Sequence, residues 1–311
     1  MRFVYIKDPH FCTSGPESYK SNYLEDIIDM FNQIGAICKQ IDAKALLIGG
    51  DIFLQHEPKK ITHSLVAGMA SYFKNFPVPI AGIIGNHDAR LGLAHYHRYP
   101  INVLIGSGVY QYLDDNPLVI TEGDFKVKVG GVSYCKDGFE RVCHYTKGEE
   151  DFLILLAHMF IGEYAGSFFQ ERVYGFEELS AGQFDVLAVG HEHVNRGVFE
   201  YGGKHFIDAG QITRTSASQS DRELVPSVVI FSVTKENGLK SRVVPLVHKL
   251  AAEVFGVEKD FDYQEDTVDW DGFVEKLGGI FRTYDVADFK ELVQATAYPD
   301  HIKLKALEYL C

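Results

Sequence analysis

The sequence predicts an α/β fold with a strand-rich second half and a small helical C-terminal tail. Three observations carry this. Apolar runs at 3–6, 45–48 and 80–84 alternate with two amphipathic helical patterns, a strand–helix–strand–helix–strand order. Two more apolar runs, 152–157 and 185–189, have the length of buried strands. After residue 195 helical periodicity gives way to short strand-like segments.

FVYI (3–6) is the first strand. Between 19 and 42, Leu24, Ile27, Ile28, Phe31, Ile34 and Ile37 recur at three- and four-residue spacing, one face of a helix. ALLI (45–48) is the second strand. Ile61, Leu65, Val66, Met69 and Phe73 mark a helix within 59–76, with Pro58 just ahead of it. IAGII (80–84), FLILLA (152–157) and DVLAV (185–189) follow as strands. GVFEYGGKHFIDAG reads as a hairpin turning at Gly202–Gly203. VVIFSV (228–233) and SRVVPLV (241–247), joined by KENG, predict a later sheet that is antiparallel or mixed. Residues 258–271 are an acidic linker. Beyond it, apolar positions around Trp270–Phe281, Phe289–Val293 and Ile302–Leu310 predict three short helices. The chain thus divides into a main domain, 1–250, and a tail, 251–311. The tail packs on its own core or docks a partner.

At 311 residues and 46% apolar, the chain has material for one large domain, with or without a smaller one. No apolar run approaches the roughly 20 residues that span a bilayer. The start, MRFVYIKDPH, lacks a signal-peptide layout, which predicts an intracellular protein that is not secreted. Five cysteines, odd in number and without a CxxC pair, argue against a disulfide framework and a thiolate zinc site. The formal net charge of -13 argues against a strongly basic nucleic-acid clamp. Phosphate substrates stay open, because bound divalent cations reverse the local sign of a site.

Each of the five apolar runs exits into metal-competent residues. FVYI is followed by Asp8 and His10, ALLI by Asp51, IAGII by Asn86, His87 and Asp88, FLILLA by His158, and DVLAV by His191 and His193. In α/β sheets, ligands bind beyond the carboxyl ends of strands. Residues two apart on an extended segment face the same way, so Asp8 can converge with His10, and His191 with His193. Any one of the 13 histidines is more often a solvated or core residue than a ligand. His95 and His97 form a second HxH with no strand before it, and a surface role is expected there.

Asp8, His10, Asp51, Asn86, His158, His191 and His193 are more ligands than one ion needs. Two ions could share Asp51 as a bridge. Mixed imidazole and carboxylate donors suit manganese, iron or zinc better than calcium. Two such ions about 3.5–4 Å apart suit an in-line displacement at phosphorus. His87 is left over and can protonate a leaving oxygen. Asp88 either orients that ring or serves the turn. In the polar loop 213–226, Arg214 and Arg222 either contact phosphate or belong to a solvated loop.

The series DPH, GGD, GNHD, a lone His, then GHEH resembles the calcineurin-like metallophosphoesterase superfamily over roughly residues 1–247. The resemblance implies a four-layer β-sandwich flanked by helices. It also implies one metal held by Asp8, His10, Asp51 and His193 and a second by Asp51, Asn86, His158 and His191, with His87 catalytic. GGDIFLQHEP, GHEH and DAGQITRTS look like counterparts in the SbcD-type DNA double-strand-break repair nucleases. That likeness implies a DNA substrate, manganese, a coiled-coil ABC ATPase partner of the SbcC type, and dimerisation through 89–106. Two departures stand out: Leu54 replaces the charged residue common three positions after the GD aspartate, and a DNA-capping domain has little room within 251–311.

The leading expectation is therefore a manganese-dependent DNA nuclease working with an ATPase that binds residues 266–311. A phosphodiesterase or phosphatase for small nucleotides is the alternative, motivated by the acidic charge and short tail. A non-catalytic scaffold would show an eroded ligand set, and this set is complete.

Overall fold

The computed structural model describes residues 1–54, 60–168 and 171–255. The expected linker and tail helices of 256–311, and Pro58, lie outside the described residues.

The first sheet is built from β1 (Arg2–Ile6), β2 (Leu46–Ile48) and β3 (Ile80–Gly82), which run parallel. Helix α1 (Tyr23–Gln40) links β1 to β2, and α2 (His63–Lys74) links β2 to β3. Asn22 caps α1 by accepting the Glu25 N–H, and Thr62 caps α2 by accepting the Leu65 N–H. These caps set the helix starts, later than the periodicity alone suggested. After β3 come a 3-10 turn (Leu93–Arg98), α3 (Ile101–Gly106) and a short edge strand, β4 (Gln111–Tyr112).

The second sheet begins with the hairpin β5 (Leu118–Glu122) and β6 (Phe125–Val132), then α4 (Gly138–His144) and β7 (Phe152–His158). A three-stranded excursion follows: β8 (Ile161–Gly162), β9 (Gly166–Phe168) and β10 (Glu171–Gly175). The chain returns through α5 (Phe176–Ser180) to β11 (Val186–Gly190), and then the expected hairpin, β12 (Gly197–Tyr201) and β13 (Lys204–Asp208). A short α6 (Gln219–Glu223) precedes β14 (Ser227–Thr234) and β15 (Gly238–Pro245), which rejoin the first sheet; α7 (Ala251–Val254) closes the described body.

The strand orders are β15-β14-β1-β2-β3-β4 and β12-β13-β11-β7-β6-β5. Both sheets are mixed: β14 is antiparallel to β1, whereas β6, β7, β11 and β13 run parallel. Alternation along each strand explains the layering. Phe3 and Tyr5 of β1 meet Ile154 and Leu156 of β7 between the sheets. Val4 and Ile6 face α1 and α2 with Phe31, Leu65 and Phe73. Leu153 and Leu155 face α4 and α5 with Val142 and Leu179. Strands buried on both faces need apolar residues at every position, hence continuous rather than alternating runs. The result is helix, sheet, sheet, helix: the expected four-layer sandwich. Residues 251–255 pack onto it, with Phe255 against the Tyr19 ring.

Candidate metal centre

The carboxyl ends of β1, β2 and β3 in one sheet and β7 and β11 in the other open at the same rim. Asp8 and His10 follow β1, Asp51 follows β2, Asn86 and His87 follow β3, His158 ends β7, and His191 and His193 follow β11. Two glycines allow close packing there, Gly190 between the sheets and Gly85 within the first sheet. A Cβ on Gly190 would lie 2.2 Å from the Gly49 carbonyl oxygen, and one on Gly85 would lie 2.0 Å from Asp51 Oδ1. Asp8, His10, Asp51 and His191 all adopt left-handed backbone, with φ of 50°, 51°, 49° and 101°. Outside glycine this conformation is uncommon and clusters at functional sites.

The expected residues come together. His158 Nε2 lies 3.0 Å from Asn86 Oδ1 and 3.4 Å from Asp51 Oδ2. His158 Nδ1 donates to the Gly49 carbonyl at 2.7 Å, so its Nε2 is the nitrogen turned toward the other ligands. His10 Nε2 and His193 Nε2 are 3.0 Å apart. Asp8 accepts the His191 N–H through both oxygens, at 3.1 and 3.2 Å. Asp51, His158 and His191 offer donor atoms that all lie within 4.8 Å of one another.

The electrostatics call for positive charge. Burial opposes a proton on His158, yet Asp51 and Asp8 outweigh it and lift the ring to about 9. Burial works against ionised Asp51, but His158, His10 and His87 hold it well below the usual carboxylate range. His191 is pushed down to about 3 by burial and then by His158, and His10 is pushed down by burial and neighbouring histidines despite Asp51. The neutral His10 and His191 rings beside an ionised Asp51 carboxylate, with Asp51 and Asp8 drawing positive charge onto His158, suit a divalent cation of the manganese, iron or zinc type.

His87 stands beside this group. Its backbone N–H donates to Asp51 Oδ1 at 2.9 Å and its ring lies 5.0 Å from that of His10. Its Nδ1 donates to the Leu54 carbonyl, so the Leu54 main chain orients the ring. Asp88 does not: its carboxylate accepts the N–H groups of Ile52, Phe53 and Gly85. The expectation of Asp88 as the orienting group gives way to its turn-forming role. Burial and Asp51 raise it to about 7, against those backbone bonds. Arg214 fits neither the phosphate contact nor the solvated loop weighed for it. It is buried, and its two Nη atoms donate to the carbonyls of Lys249 and Leu224, so the guanidinium serves the body of the fold. Arg222 lies on the surface with its Nε on the Ala217 carbonyl and its guanidinium over Phe255.

Sequence reasoning missed Glu171 and Tyr134. Glu171 Oε2 is 3.1 Å from His191 Nε2, and the Tyr134 ring lies 5.3 Å from that of His191. Glu171 sits in the β8–β10 excursion, which lacks a long apolar run, so no pattern announced it.

At the shared rim of this double-sheet sandwich Asp51, His158 and His191 are close enough to hold a cation, a candidate centre of the metallophosphoesterase type. The model of the calcineurin-like phosphoesterase family matches residues 1–195, and the chain belongs to that family. Its members are phosphoesterases that use divalent metals. The chain is similar to the double-strand break repair protein MRE11 of Encephalitozoon cuniculi, with 23% identity over 238 residues. That match covers 64% of this chain and 40% of the MRE11 chain, so this chain spans well under half of that relative. Among solved structures it resembles the calcineurin-like phosphoesterase YfkN from Bacillus subtilis (12% identity, TM-score 0.48, 90% of this chain and 97% of that one). It also resembles the NAD nucleotidase NadN of Haemophilus influenzae (12% identity, TM-score 0.47, 80% of this chain and 50% of that one). Among the described residues no helix is long and apolar enough to cross a membrane.

Proposed function

We propose that the chain is a two-metal phosphodiesterase acting on DNA, the nuclease subunit of an intracellular repair complex. The observation that carries this is the meeting of Asp8, His10, Asp51, Asn86, His158, His191 and His193 at one rim, with the Asp51 carboxylate beside His158 and His191. Asp8, His10, Asp51 and His193 would hold one cation, and Asp51, Asn86, His158 and His191 the other. Divalent cations bound there, manganese for preference, would supply charge stabilisation at the phosphoryl oxygens and lower the pKa of a water. His87 supplies the leaving-group proton. With Nδ1–H committed to Leu54, its Nε2 is the atom free to deliver it. Gly49, through its carbonyl, keeps the His158 ring turned inward.

The choice of DNA rests on the likeness to MRE11 and on the GGDIF and GHEH segments. The resemblance of those segments to SbcD-type nucleases motivates an SbcC-type coiled-coil ATPase partner at residues 266–311. Exposed Leu91 and Val103 are consistent with a homodimer through 89–106. The net charge of -13 favours a second reading, a phosphodiesterase for small nucleotides.

The full chain with manganese, end-labelled linear duplex and a cyclic nucleotide separates the two. DNA cleavage that vanishes in His87→Ala supports the nuclease. Cyclic nucleotide turnover with intact DNA moves the assignment to the second reading, and hydrolysis of neither removes both.

A further inference from the structure

Lys7 immediately precedes Asp8, yet its side chain is completely enclosed. An ammonium has three donors, and here each finds an acceptor. Nζ lies 2.5 Å from Asp208 Oδ1, 2.8 Å from the Glu192 carbonyl and 2.7 Å from the Val194 carbonyl. Those two carbonyls flank His193. Asp208, at the end of β13, is itself buried, and its other oxygen accepts from Arg196 at 2.5 Å. Arg196 in turn pairs with Glu192 at 2.8 Å. The stretch 191–196 lies outside any strand or helix, so no ladder fixes its backbone. These charged side chains do.

We propose that Lys7 is a positioning residue for His193: from inside the sandwich it sets the backbone on either side of that ring so that it faces His10. This rests on reading the rim as a two-cation phosphoesterase centre. A buried ion pair is by itself a weak source of stability, and apolar residues of similar volume often replace one without loss. What an apolar residue cannot do is draw two chosen carbonyls onto one point. With Asp8 taking the His191 N–H, the neighbouring pair Lys7–Asp8 anchors both histidines of the GHEH turn.

The test is a manganese titration of the full chain, followed by electron paramagnetic resonance, for wild type, Lys7→Met, and Lys7→Met with Asp208→Asn. The double variant removes the unpaired charge that could stop the single one from folding. Loss of such supporting contacts weakens metal binding about 10–100-fold. The expected result is that drop in one binding phase, assigned to Asp8, His10 and His193, with the other phase unchanged and unfolding still cooperative. Folded variants with both phases unchanged overturn the proposal. So does loss of cooperative unfolding in both variants, because Lys7 would then serve the core alone. A wild-type chain that binds no manganese sinks the two-cation reading itself, a separate outcome from either.

Discussion

The Asp51 carboxylate and the His158 imidazole stand 3.4 Å apart, although one follows a strand of the first sheet and the other ends a strand of the second. The candidate centre is therefore a seam. Its geometry depends on how closely the two sheets approach, and that depends on glycines at the rim.

Gly85→Ala tests the first sheet's side of the seam, where Gly85 packs against Asp51. The added methyl would sit 2.0 Å from Asp51 Oδ1, which the His87 N–H holds in place, and 2.5 Å from the Asp51 backbone nitrogen. Overpacking of this kind costs about 1–3 kcal/mol. We expect a lower urea midpoint and manganese affinity reduced at least about tenfold, within the range for lost supporting contacts. A titration identical to wild type would mean that Asp51 has room to move and is not held by this contact.

His87→Ala separates proton delivery from metal binding. The ring makes its hydrogen bond to Leu54 and lies outside the seven proposed ligands. Loss of a general acid lowers kcat by about 10²–10⁴-fold. Manganese stoichiometry is expected to stay at the wild-type value. Equal loss of metal and activity would instead make His87 part of the cation site.

His248 gives the fold an acid-sensitive element away from the rim. Burial, aided by Arg214 and opposed by the Leu246 carbonyl and Glu253, lowers its pKa. A histidine with a depressed native pKa is protonated in the unfolded chain below about 6.5 before it is protonated in the fold. Its neutral form costs nothing above that pH, and stability is lost as pH falls below it. His248→Gln keeps a donor for the Leu246 carbonyl but cannot titrate. The stability gap between wild type and variant, from urea unfolding at pH 8 and pH 5, is therefore expected to shrink or reverse on acidification. A constant gap would contradict the assignment.

Much of this molecule was legible because of how sandwiches are built. Strands covered on both faces write continuous apolar runs, and the residues after FVYI, ALLI, IAGII, FLILLA and DVLAV fall at one rim once those strands run parallel. The Gly202–Gly203 hairpin was equally plain. Short or polar strands were not: β5, β6 and the β8–β10 excursion carry little uninterrupted apolar sequence, and Glu171 went unseen with them. Lys7 went unremarked and Arg214 misled for a different reason. Charged side chains read as exposed, and their burial is explained by acceptors as far along the chain as Asp208, Leu224 and Lys249, which no local pattern connects. Asp88 looked catalytic by its place beside His87, but three backbone N–H groups already claim its carboxylate.

The central claim is that cations sit on either side of Asp51, and anomalous diffraction from a manganese-loaded crystal of the full chain tests it most directly. The account predicts two peaks about 3.5–4 Å apart, both touching the Asp51 carboxylate, one toward His10 and His193 and the other toward Asn86, His158 and His191. A map with no anomalous density against Asp51 would contradict it.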